Sequence, residues 1–149
     1  MTIKILFVCT GNTCRSQMAE ALAGNLIKQA RWPLKVISAG TSANKVRETT
    51  PEAVTVLSRA GIHWQGRSQP LTKQLLSQTD VVWAMTQTHI QRIDDLLIGV
   101  SESRRPHISL LAPEQELADP LGCGMAAYEA LYDTLCQLLP LRLQTLLDA

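Results

Sequence analysis

The chain has 149 residues, 46% of them hydrophobic, and a formal net charge of +1 at pH 7. That length and apolar content suit one globular domain with its own core, residues 1–149. The near-neutral balance builds no strong field, which argues against nucleic acid or an anionic membrane as a partner.

In chain order, MTIKILFVCTG holds only a short apolar run and lacks the features of a signal peptide. No apolar stretch is long enough to span a bilayer, so a soluble, cytoplasmic protein is expected. IKILFV (3–8) reads as a buried strand. Residues 16–30 place Met18, Leu22, Leu26 and Ile27 at helical spacing. KVISAG (35–40) is a strand ended by Gly40. Thr50 and Pro51 supply a cap and a first helical residue for a helix that Gly61 stops.

Thr72 caps a short helix over 70–78, and DVVWAM (80–85) is another strand. Residues 86–97 are helical with Ile90, Ile93 and Leu97 on one face, and PHISLL (106–111) is a weaker strand. The tail, 125–147, is helical, with Pro140 expected to kink or end it. Strands alternating with helices predict an α/β fold with a mostly parallel sheet and helices on both faces. Ligands in such sheets bind at the carboxyl ends of strands. The first strand ends at Val8 and runs directly into CTGNTCRS.

There are four cysteines, Cys9, Cys14, Cys123 and Cys136, at spacings that match no zinc motif. A disulfide framework is unnecessary at this size and out of place in a reducing compartment. His63, His89 and His107 are scattered and read as surface or satisfied core residues, so no metal is expected. Tyr128 and Tyr132 sit one helical turn apart and read as partly buried. Cys123 and Cys136 read as structural or incidental.

A loop turning directly into a helix can aim several backbone N–H groups at an anion, and the helix N-terminus adds positive potential. Gly11 is expected to permit a backbone shape that other residues resist. Asn12 tolerates left-handed geometry and can hydrogen-bond the loop to itself. Arg15 can hold two phosphoryl oxygens through its planar fork. No Gly-Lys-Ser/Thr follows, so this is not a nucleotide loop. Cys9 inside such a cradle is expected to be acidified and nucleophilic, with Ser16 donating a hydrogen bond to it.

VCTGNTCRSQMAE resembles the signature of the low-molecular-weight protein tyrosine phosphatase family. SAG (38–40), TPEA (50–53), LT (71–72), AMT (84–86) and DP (119–120) follow in the family's order, so the resemblance covers nearly the whole chain. It implies a three-layer α/β/α fold with a four-stranded parallel sheet, a phosphate-binding loop after strand 1 and no cofactor. The loop residues Thr10, Gly11, Asn12, Thr13, Cys14 and Ser16 would bind phosphate or another oxyanion. Cys9 would be the nucleophile, Arg15 the phosphoryl clamp and Asp119 the general acid. Pro120 restricts Asp119 and so helps aim it. Gln17 stands where the family usually has proline; both can start a helix, and the change carries little weight at this level.

The implied substrates are phosphorylated proteins, and Thr13 bears on which. Tyrosine-directed members commonly carry isoleucine there, whereas members resembling protein-arginine phosphatases carry threonine. A hydroxyl at that place could hold the attacking water or a polar leaving group. Leu121 follows the Asp-Pro pair where tyrosine-directed relatives often have an aromatic residue, which weakens the phosphotyrosine reading; arginine-directed relatives often have phenylalanine there, so it does not strengthen the phosphoarginine reading equally. The expectation is a phosphoarginine phosphatase, with a phosphotyrosine phosphatase as the alternative. Arsenate reductases of this fold relay oxidation through further cysteines after the third strand, and DVVWAMTQTHIQRIDD has none. A non-catalytic phospho-group binder would be expected to lack the nucleophile or the acid. Cys14 is a candidate redox partner that could form a reversible disulfide with oxidised Cys9, or simply a small buried residue.

Overall fold

The computed structural model describes residues 1–148. Strand β1 (Ile3–Cys9) is buried over its last five residues. Burial on both faces requires covering layers on both sides, the setting of a parallel strand. Strands β2 (Leu34–Gly40), β3 (Val81–Ala84) and β4 (His107–Leu110) complete a sheet of order β2-β1-β3-β4. Every neighbouring pair is parallel. The chain leaves β1 toward β2 on one side and returns to β3 on the other. The sheet therefore reverses its winding beside β1, and such a reversal opens a crevice at the carboxyl ends. Cys9, opposite Gly40 in register, ends β1 at that crevice.

Alternation along β1 sorts the core. Ile5, Phe7 and Cys9 pack with Met18, Leu57, Tyr128 and Leu135. These belong to helices α1 (Arg15–Ala30), α2 (Pro51–Arg59) and α5 (Met125–Asp148). Leu6 and Val8 face the other way, onto Leu76, Ile93 and Leu97. That layer comes from α3 (Lys73–Ser77) and α4 (Gln87–Leu96). Each fully buried aliphatic side chain contributes about 1.5–3 kcal/mol relative to exposure. On the α5 side, Arg142 lies 4.7 Å from the Trp83 ring centre and donates to the Leu110 carbonyl at 3.0 Å. This ties the last helix to the strand ends.

The helix signals were uneven guides. Thr72 and Thr86 cap α3 and α4 with their side chains, and Gly61 stops α2 with φ of 81°. Thr50 precedes α2 without a side-chain cap bond, so Pro51 alone presets that helix. Pro140 does not end α5, which runs on to Asp148. The carbonyl it frees, four residues back, belongs to exposed Cys136, where water can satisfy it, while buried Leu139 and Leu143 hold the helix on both sides. Tyr128 is fully buried rather than partly so.

Candidate active site

The segment between Cys9 and α1 is fastened from many directions. Asn12 takes a left-handed backbone, φ 57°. Its amide donates to Ser16 Oγ at 2.7 Å and Ser38 Oγ at 2.8 Å, and its oxygen accepts from the Gln69 N–H at 2.9 Å. Because Asn12 already donates into Ser16 Oγ, the Ser16 O–H is left for Cys9 Sγ, 2.8 Å away. The Asn12 backbone N–H also points at Cys9 Sγ, at 3.3 Å. The sulfur thus sits among donors at the head of α1.

Gly11 does not adopt the left-handed region, contrary to the reading of that glycine. A side chain there would meet only Thr13 Oγ1 at an ordinary 3.6 Å. The close approach is at Gly40 instead, where a Cβ would come within 2.5 Å of the Thr10 carbonyl oxygen and 3.0 Å of Asn12 N. Gly40 lets β2 run flush against the loop.

Arg15 is 4% exposed. It donates to the Leu117 carbonyl at 2.9 Å and to Thr10 Oγ1 at 3.4 Å, and reaches Asp119 Oδ2 at 3.7 Å. Its Nε–H is buried without a protein acceptor, a donor that an oxyanion in the loop would satisfy. Asp119 is 43% exposed by side chain, on the segment before α5. Its Oδ1 accepts from the Leu121 N–H at 3.1 Å and from the Cys14 thiol at 3.4 Å. Burial, reinforced by the negative Asp119 and by Cys9, pushes the Cys14 thiol up to about 12. Cys14 therefore stays protonated and serves as a donor to the carboxylate. All four cysteines are free thiols, with Cys123 and Cys136 exposed.

Two residues have larger parts than their sequence context suggested. His89 is buried, and Nδ1 accepts from the Thr86 N–H at 3.1 Å in the α4 capping box. The proton is then on Nε2, which donates to Thr10 Oγ1 at 2.8 Å. Burial, and then the charge of Arg15, lower the His89 pKa to about 4, so the ring is neutral near pH 7. His89 is the satisfied core histidine expected, yet what it satisfies is the catalytic loop. Gln17 likewise joins distant segments through its side chain, as detailed below. His63 and His107 are exposed. Among the described residues no group of three His, Cys, Asp or Glu is arranged to hold a metal.

Beside the loop lies a hollow of about 750 Å³, lined by Gly11, Thr13, Lys45, Arg47, Thr50 and Leu121 among others. Thr13 is anchored there by its carbonyl, which accepts from the Thr50 N–H at 2.9 Å. Leu121, 57% exposed, also lines the hollow.

A sulfur among donors, a buried arginine and a nearby carboxylate at the switch point of a parallel sheet match one known family along the chain. The profile described as "Low molecular weight phosphotyrosine protein phosphatase" matches residues 4–148. The chain belongs to the low molecular weight phosphatase family. Like other members it is a cysteine-dependent protein phosphatase. A protein-arginine-phosphatase of Bacillus subtilis is 35% identical over 142 residues, 91% of each chain. A probable low molecular weight protein-tyrosine-phosphatase of Ralstonia nicotianae is 36% identical over 132 residues, 84% of this chain and 83% of that one. Among solved structures, the YwlE arginine phosphatase carrying a phosphorylated active-site serine superposes with a TM-score of 0.82 at 34% identity, covering 92% of this chain and 91% of that one. No helix among the described residues is long and apolar enough to cross a membrane.

Proposed function

We propose that this phosphatase hydrolyses phosphoarginine in proteins through a phosphocysteine intermediate. The observation that carries the arginine reading is Thr13, a hydroxyl-bearing residue of the loop after Cys9 that lines the adjoining hollow. It offers a polar wall to a guanidinium, where isoleucine would offer an apolar one to a phenyl ring. The absence of an aromatic residue at exposed Leu121 further weakens a ring-sandwich mode. The likeness to named protein-arginine-phosphatases supports the same direction.

The chemistry runs in two steps. The Cys9 thiolate attacks phosphorus, forming S–P as the P–N bond breaks, while Asp119, acting in its protonated form, delivers that proton to the departing nitrogen. The N–H groups of residues 10–16 and the Arg15 guanidinium hold the phosphoryl oxygens, including through the unspent Nε–H. Water then attacks phosphorus, Asp119 takes its proton, the S–P bond breaks and phosphate leaves. Ser16 O–H, directed at the sulfur, stabilises it as the leaving thiolate. Neutral His89 and the Thr10 hydroxyl keep the loop in place and exchange no proton with substrate.

A phosphotyrosine phosphatase of the same mechanism is the alternative, favoured by the likeness to tyrosine-directed relatives. The deciding measurement is kcat/KM on matched peptides bearing phosphoarginine or phosphotyrosine. A preference for phosphoarginine is expected, and Thr13→Ile should shift the ratio about ten- to a hundredfold toward phosphotyrosine. A wild-type preference for phosphotyrosine, or a ratio unmoved by Thr13→Ile, would remove this assignment.

A further inference from the structure

Gln17 is 2% exposed and its amide is almost fully used. Nε2 donates to the Arg67 carbonyl at 3.1 Å. Oε1 accepts from the Trp64 indole N–H at 2.8 Å, and the Thr49 hydroxyl, 3.5 Å away, shares its one proton between this oxygen and the Gly66 carbonyl. The indole can only donate, which fixes which end of the amide is oxygen. Gly66 passes directly over this amide. A Cβ there would stand 2.1 Å from Gln17 Oε1 and 2.5 Å from Trp64 Nε1, so the position accepts no side chain unless the amide moves. The Gly66 carbonyl in turn accepts from the Thr49 N–H at 3.2 Å and from Thr49 Oγ1 at 3.3 Å.

These bonds connect three separate parts of the chain. Gln17 lies in the first turn of α1, two residues after Arg15. Residues 64–67 are the second part, and Thr49 belongs to the segment 42–51 that lines the hollow together with Gly11 and Thr13 of the loop. That segment is further fixed by an isolated antiparallel backbone β-bridge between Glu48 and Arg67 and by the Thr50–Thr13 backbone bond. The Gln17 side chain therefore connects the head of α1 with residues 64–67 and with the Thr49–Thr50 lining of the hollow. A proline at this position can make none of these bonds.

We propose that Gln17 is a positioning residue for substrate. It braces, from the head of α1 and residues 64–67, the wall at Thr49–Thr50 against which the substrate polypeptide flanking the phosphoryl group rests. Cys9, Arg15 and Asp119 are not its partners, so it acts on how the protein substrate is held and not on the bond-breaking step. The inference rests on phosphopeptide occupying the hollow, and is independent of which phosphoamino acid is preferred.

The test is steady-state kinetics on Gln17→Pro, Trp64→Phe and the double variant, with p-nitrophenyl phosphate and with the phosphopeptide that wild type turns over best. Gln17 is the third residue of α1, where a backbone N–H has no intrahelical acceptor. Proline is tolerated there, so the variant removes the side-chain bonds alone. Trp64→Phe keeps a ring and deletes only the N–H, and it carries the test if Gln17→Pro does not fold. Each single variant should raise the phosphopeptide KM about tenfold, with kcat within about twofold and p-nitrophenyl phosphate kinetics little changed. The double variant should be no worse than the worse single one, because both cut the same link. Equal losses of kcat on both substrates, fully additive effects, or an unmoved phosphopeptide KM would each overturn the proposal. A preference for phosphotyrosine over phosphoarginine would overturn the substrate assignment alone and leave this test intact.

Discussion

The two halves of the active site are held in opposite ways. The Cys9 loop, proposed to carry the nucleophile, is buried and cross-tied: Asn12 alone joins it to Ser16, Ser38 and Gln69. The Asp119 segment, proposed to carry the general acid, is exposed and lightly tied. Asp119 is met by one thiol, one backbone N–H and a 3.7 Å approach from Arg15, and two glycines with positive φ, Gly122 and Gly124, follow it. The difference follows from what each half must do. An oxyanion cradle stabilises charge only if its donors are fixed before the charge develops. A proton donor must instead admit a protein substrate and approach the leaving atom, which a solvent-facing segment with few ties permits.

Removing the central group of each half should give the largest contrast. Cys9→Ser should lower kcat by more than about 10⁴-fold while phosphate still binds, because the donors around it remain. Asp119→Asn should cost less, about 10²–10³-fold in kcat, since it removes acid–base help and leaves the nucleophile. Single-turnover kinetics together with phosphate titration read both. An Asp119→Asn loss equal to that of Cys9→Ser would erase the distinction.

A second comparison concerns stability. Asn12→Ala deletes two buried hydrogen bonds and one part-buried one, forces alanine into left-handed backbone, and should cost about 3 kcal/mol in urea unfolding. Leu121→Ala, at an exposed position, should stay within about 0.5 kcal/mol. Comparable losses would mean the acid segment is as firmly built as the loop.

The smallest effect is a pH dependence. His89 has its pKa lowered to about 4 by burial and by Arg15. A histidine depressed below its unfolded value of about 6.5 takes up its proton more readily in the unfolded chain. Stability should therefore be unaffected by this group above pH 6.5 and fall as pH drops from 6.5 through about 4. His89→Gln, whose amide can donate to Thr10 without titrating, should flatten that part of the stability-versus-pH curve. An unchanged slope would show that other groups set it. The groups facing the ring include Arg15, Asp119 and Glu116.

What could be read from sequence was what is local. Cys9, Asn12, Arg15 and Ser16 lie within eight consecutive positions, so their shared loop was visible as a word, and the alternation of strands with helices placed that word at a strand end. Asp119 came from the family's Asp-Pro pair, since nothing local joins it to Cys9. Gln17 and His89 escaped because their meaning lies in partners far along the chain, Arg67 and Thr10, 50 and 79 residues away. Gly40 was read as the end of a strand, although its task is steric and set by a loop 30 residues earlier in number. Pro140 misled because a helix rule concerned with backbone bonds takes no account of the packing of Leu139 and Leu143.

The reach of these ties bears on when activity can first arise during synthesis. Arg15 is fixed by Leu117, Thr10 by His89 and Asn12 by Gln69. Contacts so distant in sequence form late, because the intervening loops must close first. A ribosome that has released only the first half of the chain displays the nucleophile in unfinished surroundings. The reactive thiol and its oxyanion cradle become a working pair only after the segment preceding the final helix has folded back, so a truncated chain carries the signature without the enzyme.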